Sequence, residues 1–176
     1  MIASSPFFLI FRFLHIVAGA LWVGSAFLFS AFIGPSAAEV GPSAGPLIAT
    51  MVKKRKLVPV IISLSGVTVL AGWILWLKDL SNYGGLGDWL GSSFGLVLTI
   101  GAVLATAAFG IGLRAIGPNV EKLVDLGGQI AAGGGPPTPE QATEMERTQK
   151  TLEMASKVDL VLLLLAVTAM STARYW

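Results

Sequence analysis

The chain has no cysteine, one histidine and two tyrosines in 176 residues. Without cysteine there is no disulfide, no thiolate metal site and no cysteine nucleophile, and composition carries no mark of a redox compartment. A lone histidine excludes a bis-histidine haem within one chain, so a second axial ligand would have to be another residue type or come from another copy. Charge is also scarce. Only 12% of residues are Asp, Glu, Lys or Arg, and none lies between Phe13 and Ala38. The formal net charge of +2 is small and its cations are segregated along the chain, which argues against a nucleic-acid partner.

What the chain has instead is hydrophobicity, at 54% of residues with a mean hydropathy of +0.76. A bilayer core of roughly 30 Å is crossed by about 20 apolar residues in helical form. Four such stretches are predicted at about 7–34, 57–77, 89–113 and 154–175, joined on one side by 35–56 and 114–153. The expected fold class is therefore all-α, a single integral membrane domain built as a four-helix bundle. No side chain before Arg12 is charged and the apolar run far exceeds a signal-peptide core, so the N-terminus is expected to be a retained first span.

Local signals refine this outline. Pro35, Pro42 and Pro46 are expected to end the first helix, and Arg114 with Pro118 to mark the exit of the third. Gly66, Thr68 and Gly72 in the second span, and Gly91, Gly95, Thr99, Gly101 and Ala105 in the third, form small-residue faces for close helix contact. Trp73, Trp76, Tyr83 and Trp89 gather at one boundary, as in an interfacial aromatic belt. The stretch GGQIAAGGGPPTP, 127–139, is expected to be a flexible loop. Thr138, Pro139 and Gln141 then read as N-cap, first-turn proline and capping-box partner. The pairs Glu146–Lys150 and Glu153–Lys157 have favourable i,i+4 order, so a polar helix is expected to run into the last span. That span has only 14 uncharged residues, Leu160 to Ala173, about 21 Å, which draws Asp159 into or close to the membrane.

Nine of the twelve Lys and Arg residues fall on one side, eight in those two loops and Lys157 at the start of the last span, against Arg12, Lys78 and Arg174 on the other. The positive-inside rule then gives an N-out/C-out topology, with a cytoplasmic extension of the fourth helix. Lys53, Lys54, Arg55 and Lys56 are expected as a juxtamembrane cluster facing the lipid surface, with an anionic-lipid site as the sharper reading.

His15 is the centre of the functional reading. On a helix it shares a face with Phe11, Arg12, Ala18, Gly19, Trp22 and Ala26, small and polar enough to look into a bundle. Three roles stay open for it: helix packing, contact with haem or a porphyrin as the metal-ligating imidazole, and proton transfer. Met170 is a candidate second ligand. Arg12 either snorkels to head groups or holds a propionate or carboxylate such as Asp79 or Asp88. Trp22 either packs in a seam or stacks on a flat cofactor. For Asp159 the simpler reading is a structural ion pair with Arg114, the alternative one station of a proton path.

The stretch Phe13-Leu14-His15-Ile16-Val17-Ala18-Gly19-Ala20-Leu21-Trp22-Val23-Gly24-Ser25 resembles the first helix of a superfamily of four-helix bacterial membrane proteins. That group includes copper-resistance protein D domains, PuuD-type urate oxidase membrane domains and HemJ-type protoporphyrinogen oxidases. The Lys53–Lys56 cluster followed by Pro59 and Gly66, and the closing Ala173, Arg174 and Tyr175, are similar to its members too. The resemblance implies a four-helix membrane unit. Taken together, these features lead to the expectation of a small redox-linked module of a bacterial inner membrane, binding haem b or a porphyrin through His15 with Arg12 as counter-charge. A non-catalytic subunit of a larger respiratory or photosynthetic complex, or a homo-oligomer, is the alternative, and copper or proton transport a further one. Whether the chain is an enzyme is left open.

Overall fold

Residues 6–176 are described by a computed structural model, and they fold as helices joined by short turns. The first residues of the expected N-terminal span, 1–5, lie outside the described part. The helices are α1 (Pro6–Leu28), α2 (Gly34–Val40), α3 (Gly45–Ala49), α4 (Leu57–Leu80), α5 (Leu86–Gly91), α6 (Ser93–Ile111), α7 (Gly117–Gly133) and α8 (Pro139–Thr172). Four helical runs are long and apolar enough to cross a membrane, Pro6–Lys54, Leu57–Leu80, Ser93–Gly133 and Pro139–Tyr175. The chain is thus a multi-pass membrane protein of helical-bundle type.

Proline ends fewer helices than expected. Pro35 does not stop the first helix, because a π turn, Phe29–Ile33, precedes it, with the Gly34 N–H donating to the Phe29 carbonyl five residues back. The third helix repeats the device, where the π turn Gly112–Ile116 closes with Gly117 N–H on the Gly112 carbonyl just before Pro118. A proline ring ordinarily collides with the carbonyl four residues earlier, and a widened turn relieves that collision. The real break after the first helix is Gly41, whose φ of 68° is open to glycine at no steric cost. The segment expected as a loop at 127–139 is mostly helix as well: α7 continues to Gly133 and stops at Gly134, φ 67°, in a left-handed cap. Only residues 134–138 separate it from α8. There the capping box forms as read from sequence, with Thr138 Oγ1 accepting from Gln141 N–H and Gln141 Oε1 from Thr138 N–H.

Packing follows the small residues. The heaviest pairings are α6 with α8 and α1 with α4, with α4 against α6 and α1 against α8 closing the bundle. Gly101 is fitted against Ala166, Ala169 and Met170. Ala102, Ala105 and Ala108 are buried along the same helix. The centre holds Trp22, Ala108 and Leu163, with Ile61, Leu64 and Phe109 around them.

The aromatic cluster forms at the expected boundary but folds inward. Trp89 is fully buried and Trp76 nearly so, and both indoles donate to Thr99 Oγ1, at 3.1 and 2.8 Å. Thr99 in turn donates to the Gly95 carbonyl at 2.6 Å. Gly95 is needed for this, since a Cβ there would strike the Trp89 ring and carbonyl. Trp76, Tyr83 and Phe94 all meet Trp89 edge to face.

Candidate functional site

His15 sits in the α1–α4 seam, half-buried, and does not face open hydrocarbon. Its Nδ1 donates to the backbone carbonyl of Thr68 at 2.8 Å. Because a carbonyl only accepts, Nδ1 carries the proton. Two glycines make this approach possible. A Cβ on Gly72 would lie 2.8 Å from His15 Cε1, and one on Gly19 would lie 3.2 Å from Thr68 Cγ2. Thr68 keeps its own hydroxyl satisfied on the Leu64 carbonyl at 2.8 Å, so its backbone oxygen is what reaches the ring. The sequence marked Thr68 and Gly72 as a packing face but gave no sign that they receive His15, since the face of α4 that meets α1 is set by tertiary packing.

The other cofactor candidates do not converge on His15. Met170 lies in the α6–α8 seam against Gly101, a different seam from that of His15. Arg12 is exposed, its guanidinium 5.9 Å from the Phe8 ring centre and within Coulombic reach of Asp79. Trp22 is buried in the central cluster. These four residues therefore do not enclose a porphyrin within one chain. Among the described residues no three of His, Cys, Asp and Glu gather as a metal site.

Asp159 departs furthest from expectation. It is 4% exposed, one helical turn from the core residue Leu163, and its Oδ1 has no hydrogen-bond partner. The Arg114–Asp159 pair does not form. Arg114 belongs to the π turn Gly112–Ile116 and is exposed, its Nη1 3.9 Å from the point where a Cβ on Gly110 would stand, in a groove shared with Trp73 of α4. Buried Ser65 and Thr148, by contrast, are satisfied on their own helices, donating to Ile62 O at 2.9 Å and Glu144 O at 2.7 Å. Asp159 is the one buried side chain among the described residues left with an unpartnered polar atom.

The basic cluster is only partly free. Lys53 pairs with Asp125 of α7 at 2.8 Å, while Lys54, Arg55 and Lys56 form no ion pair among the described residues. Lys56 takes a left-handed conformation, φ 56°, at the entry to α4.

Comparison with protein-family models, curated proteins and solved structures gives no match.

Proposed function

We propose that this chain is a small proton-handling module of a bacterial inner membrane, with Asp159 as its proton-exchanging group. The observation that carries the reading is the buried carboxyl with no partner. An ionised carboxylate in a low-dielectric core costs several kcal/mol unless it is paired. Intramembrane acids that are kept despite such a cost commonly mark proton or ion paths. With the basic loops in the cytoplasm, Asp159 lies in the cytoplasmic half of the bundle. His15 lies beyond the Trp22–Leu163 layer, about 16 Å away along the axis at 1.5 Å per residue. The two groups would act as separate stations on either side of an apolar plug. Infrared difference spectra of the reconstituted protein between acid and alkaline buffer test this. A carboxyl band that appears with pH and vanishes in Asp159→Asn is expected, and identical spectra for both proteins would sink the proposal.

A second reading rests on the His15–Thr68 contact. Ligating histidines ordinarily donate their other ring N–H to a carbonyl or carboxylate, which fixes the ring and leaves one nitrogen for the metal. His15 would then offer Nε2 to a haem shared between copies of the chain or with a partner subunit. Purified protein with a Soret band that shifts in His15→Ala is the expected result, and a colourless preparation from haem-supplemented cells counts against it. If both tests fail, the accessory-subunit reading is what stands.

A further inference from the structure

The outer face of the α4–α6 pair carries a groove of about 620 Å³. Its walls are Trp73 from α4 and Val103, Ala107, Gly110 and Ile111 from α6, and Arg114 closes one end. The polar atoms along it are already engaged, because Trp73 Nε1 donates to Thr106 Oγ1 at 3.0 Å and Thr106 donates to the Ala102 carbonyl at 2.7 Å. Arg114 is different. It forms no ion pair among the described residues, while two acids of the neighbouring helices, Asp125 and Glu144, are taken by Lys53 and Lys122.

Distances along α6 place this cation at a membrane surface. From Ser93 to Arg114 the helix rises about 32 Å, the thickness of a hydrocarbon core. From Arg114 back to Val103 the rise is about 16 Å, close to one leaflet. An apolar slot one leaflet deep, capped by an unpaired guanidinium at head-group level, has the charge and dimensions of a single anionic phospholipid.

We infer that this groove binds one anionic phospholipid, its phosphate on Arg114 and one acyl chain along Ile111, Ala107 and Val103 towards Trp73. The site depends on α6 crossing the bilayer and is independent of any proton or haem chemistry. Arginine suits it because its planar donor fork holds two phosphate oxygens at once.

Trp73 at the inner part of the groove supplies the probe. The full chain is reconstituted in phosphatidylcholine vesicles holding a minor fraction of phosphatidylglycerol, with mid-chain bromines on one lipid or the other. Quenching of Trp73 is isolated by subtracting the Trp73→Phe protein. At equal mole fraction the brominated anionic lipid is expected to quench Trp73 with about fivefold preference, the worth of one interfacial cation. Arg114→Gln should abolish that preference, and Arg114→Lys, which keeps the charge but not the two-pronged contact, should retain a clear part of it and report that the groove is still folded. Lys54→Gln should leave it unchanged. Equal quenching by the two lipids in the wild type, an undiminished preference in Arg114→Gln, or an equal loss in Lys54→Gln would each overturn the assignment.

Discussion

A single contact, the His15 ring on the Thr68 carbonyl, makes a testable unit with Gly72. Interhelical hydrogen bonds in membranes are worth about 0.6 kcal/mol on average and up to about 1.7, so His15→Ala should be a modest loss. Gly72→Ala should be worse, because its methyl would stand 2.8 Å from His15 Cε1 and the ring would have to move. Crowding of this kind costs about 1–3 kcal/mol. The two changes share one space, so they should not add. In the His15→Ala background, Gly72→Ala should cost less than half what it costs in the wild type, as read from reversible unfolding in mixed detergent micelles. Equal costs in both backgrounds would mean that the ring does not occupy the space above Gly72.

Among the elements, those set by local rules were legible in the sequence and those set by register were not. Four apolar spans, the capping box at Thr138 and most of the small-residue faces arise from composition and spacing over a few residues, and the structure has them. The expected third span from about 89 instead begins at Ser93, capped by the Ser92 hydroxyl, and Gly91 lies outside any seam. The prolines misled because their rule assumes an unbroken α-helix. One extra residue in the turn before Gly34–Pro35 and before Gly117–Pro118 lets the helix continue and rotates its next turns by about 100°. The same register shift explains why Arg114 and Asp159 could not be paired by depth alone. Arg114 lies inside the π turn and lines an outer groove, while Asp159 keeps the phase of Leu163 and faces the core. The aromatic boundary was legible as a cluster but not as a core, since inward folding depends on Gly95 admitting Trp89 and on Thr99 accepting two indoles. Thr99→Val keeps the shape and removes the acceptor. It should cost about 2–6 kcal/mol, at about 1–3 kcal/mol for each of the two stranded N–H donors, and change the tryptophan emission. A variant as stable as the wild type, with an unaltered spectrum, would show that water or lipid satisfies the indoles.

Taken whole, the molecule is longer than a membrane is thick. α8 has 34 residues and spans about 51 Å, so roughly 20 Å of it projects beyond a 30 Å core. That projection packs beside α7, with Thr148 buried within it, and exposed charge adds to the packing. Lys122 of α7 meets Glu144 of α8, and Lys53 meets Asp125. The hydrogen bond from Lys122, and then its charge, hold the Glu144 carboxyl below the usual glutamate range. A carboxyl with a depressed folded-state pKa supports the paired form above its unfolded value of about 4.3. The support is lost as pH falls through the lower folded value. Because the partners are exposed, the contribution is small and screened by salt. The hairpin of α7 and α8 should therefore loosen slightly below about pH 4 while the spans, which lack this pair, stay packed. Spin labels at Ala131→Cys and Ala142→Cys read this directly, since the chain has no cysteine of its own to compete. Their distance distribution should be narrow at neutral pH and broaden in acid or in high salt. With Glu144→Gln added, the width at neutral pH should already equal that of the wild type in acid. A distribution that stays narrow throughout would mean that apolar contacts between α7 and α8, not the Lys122–Glu144 pair, close the hairpin.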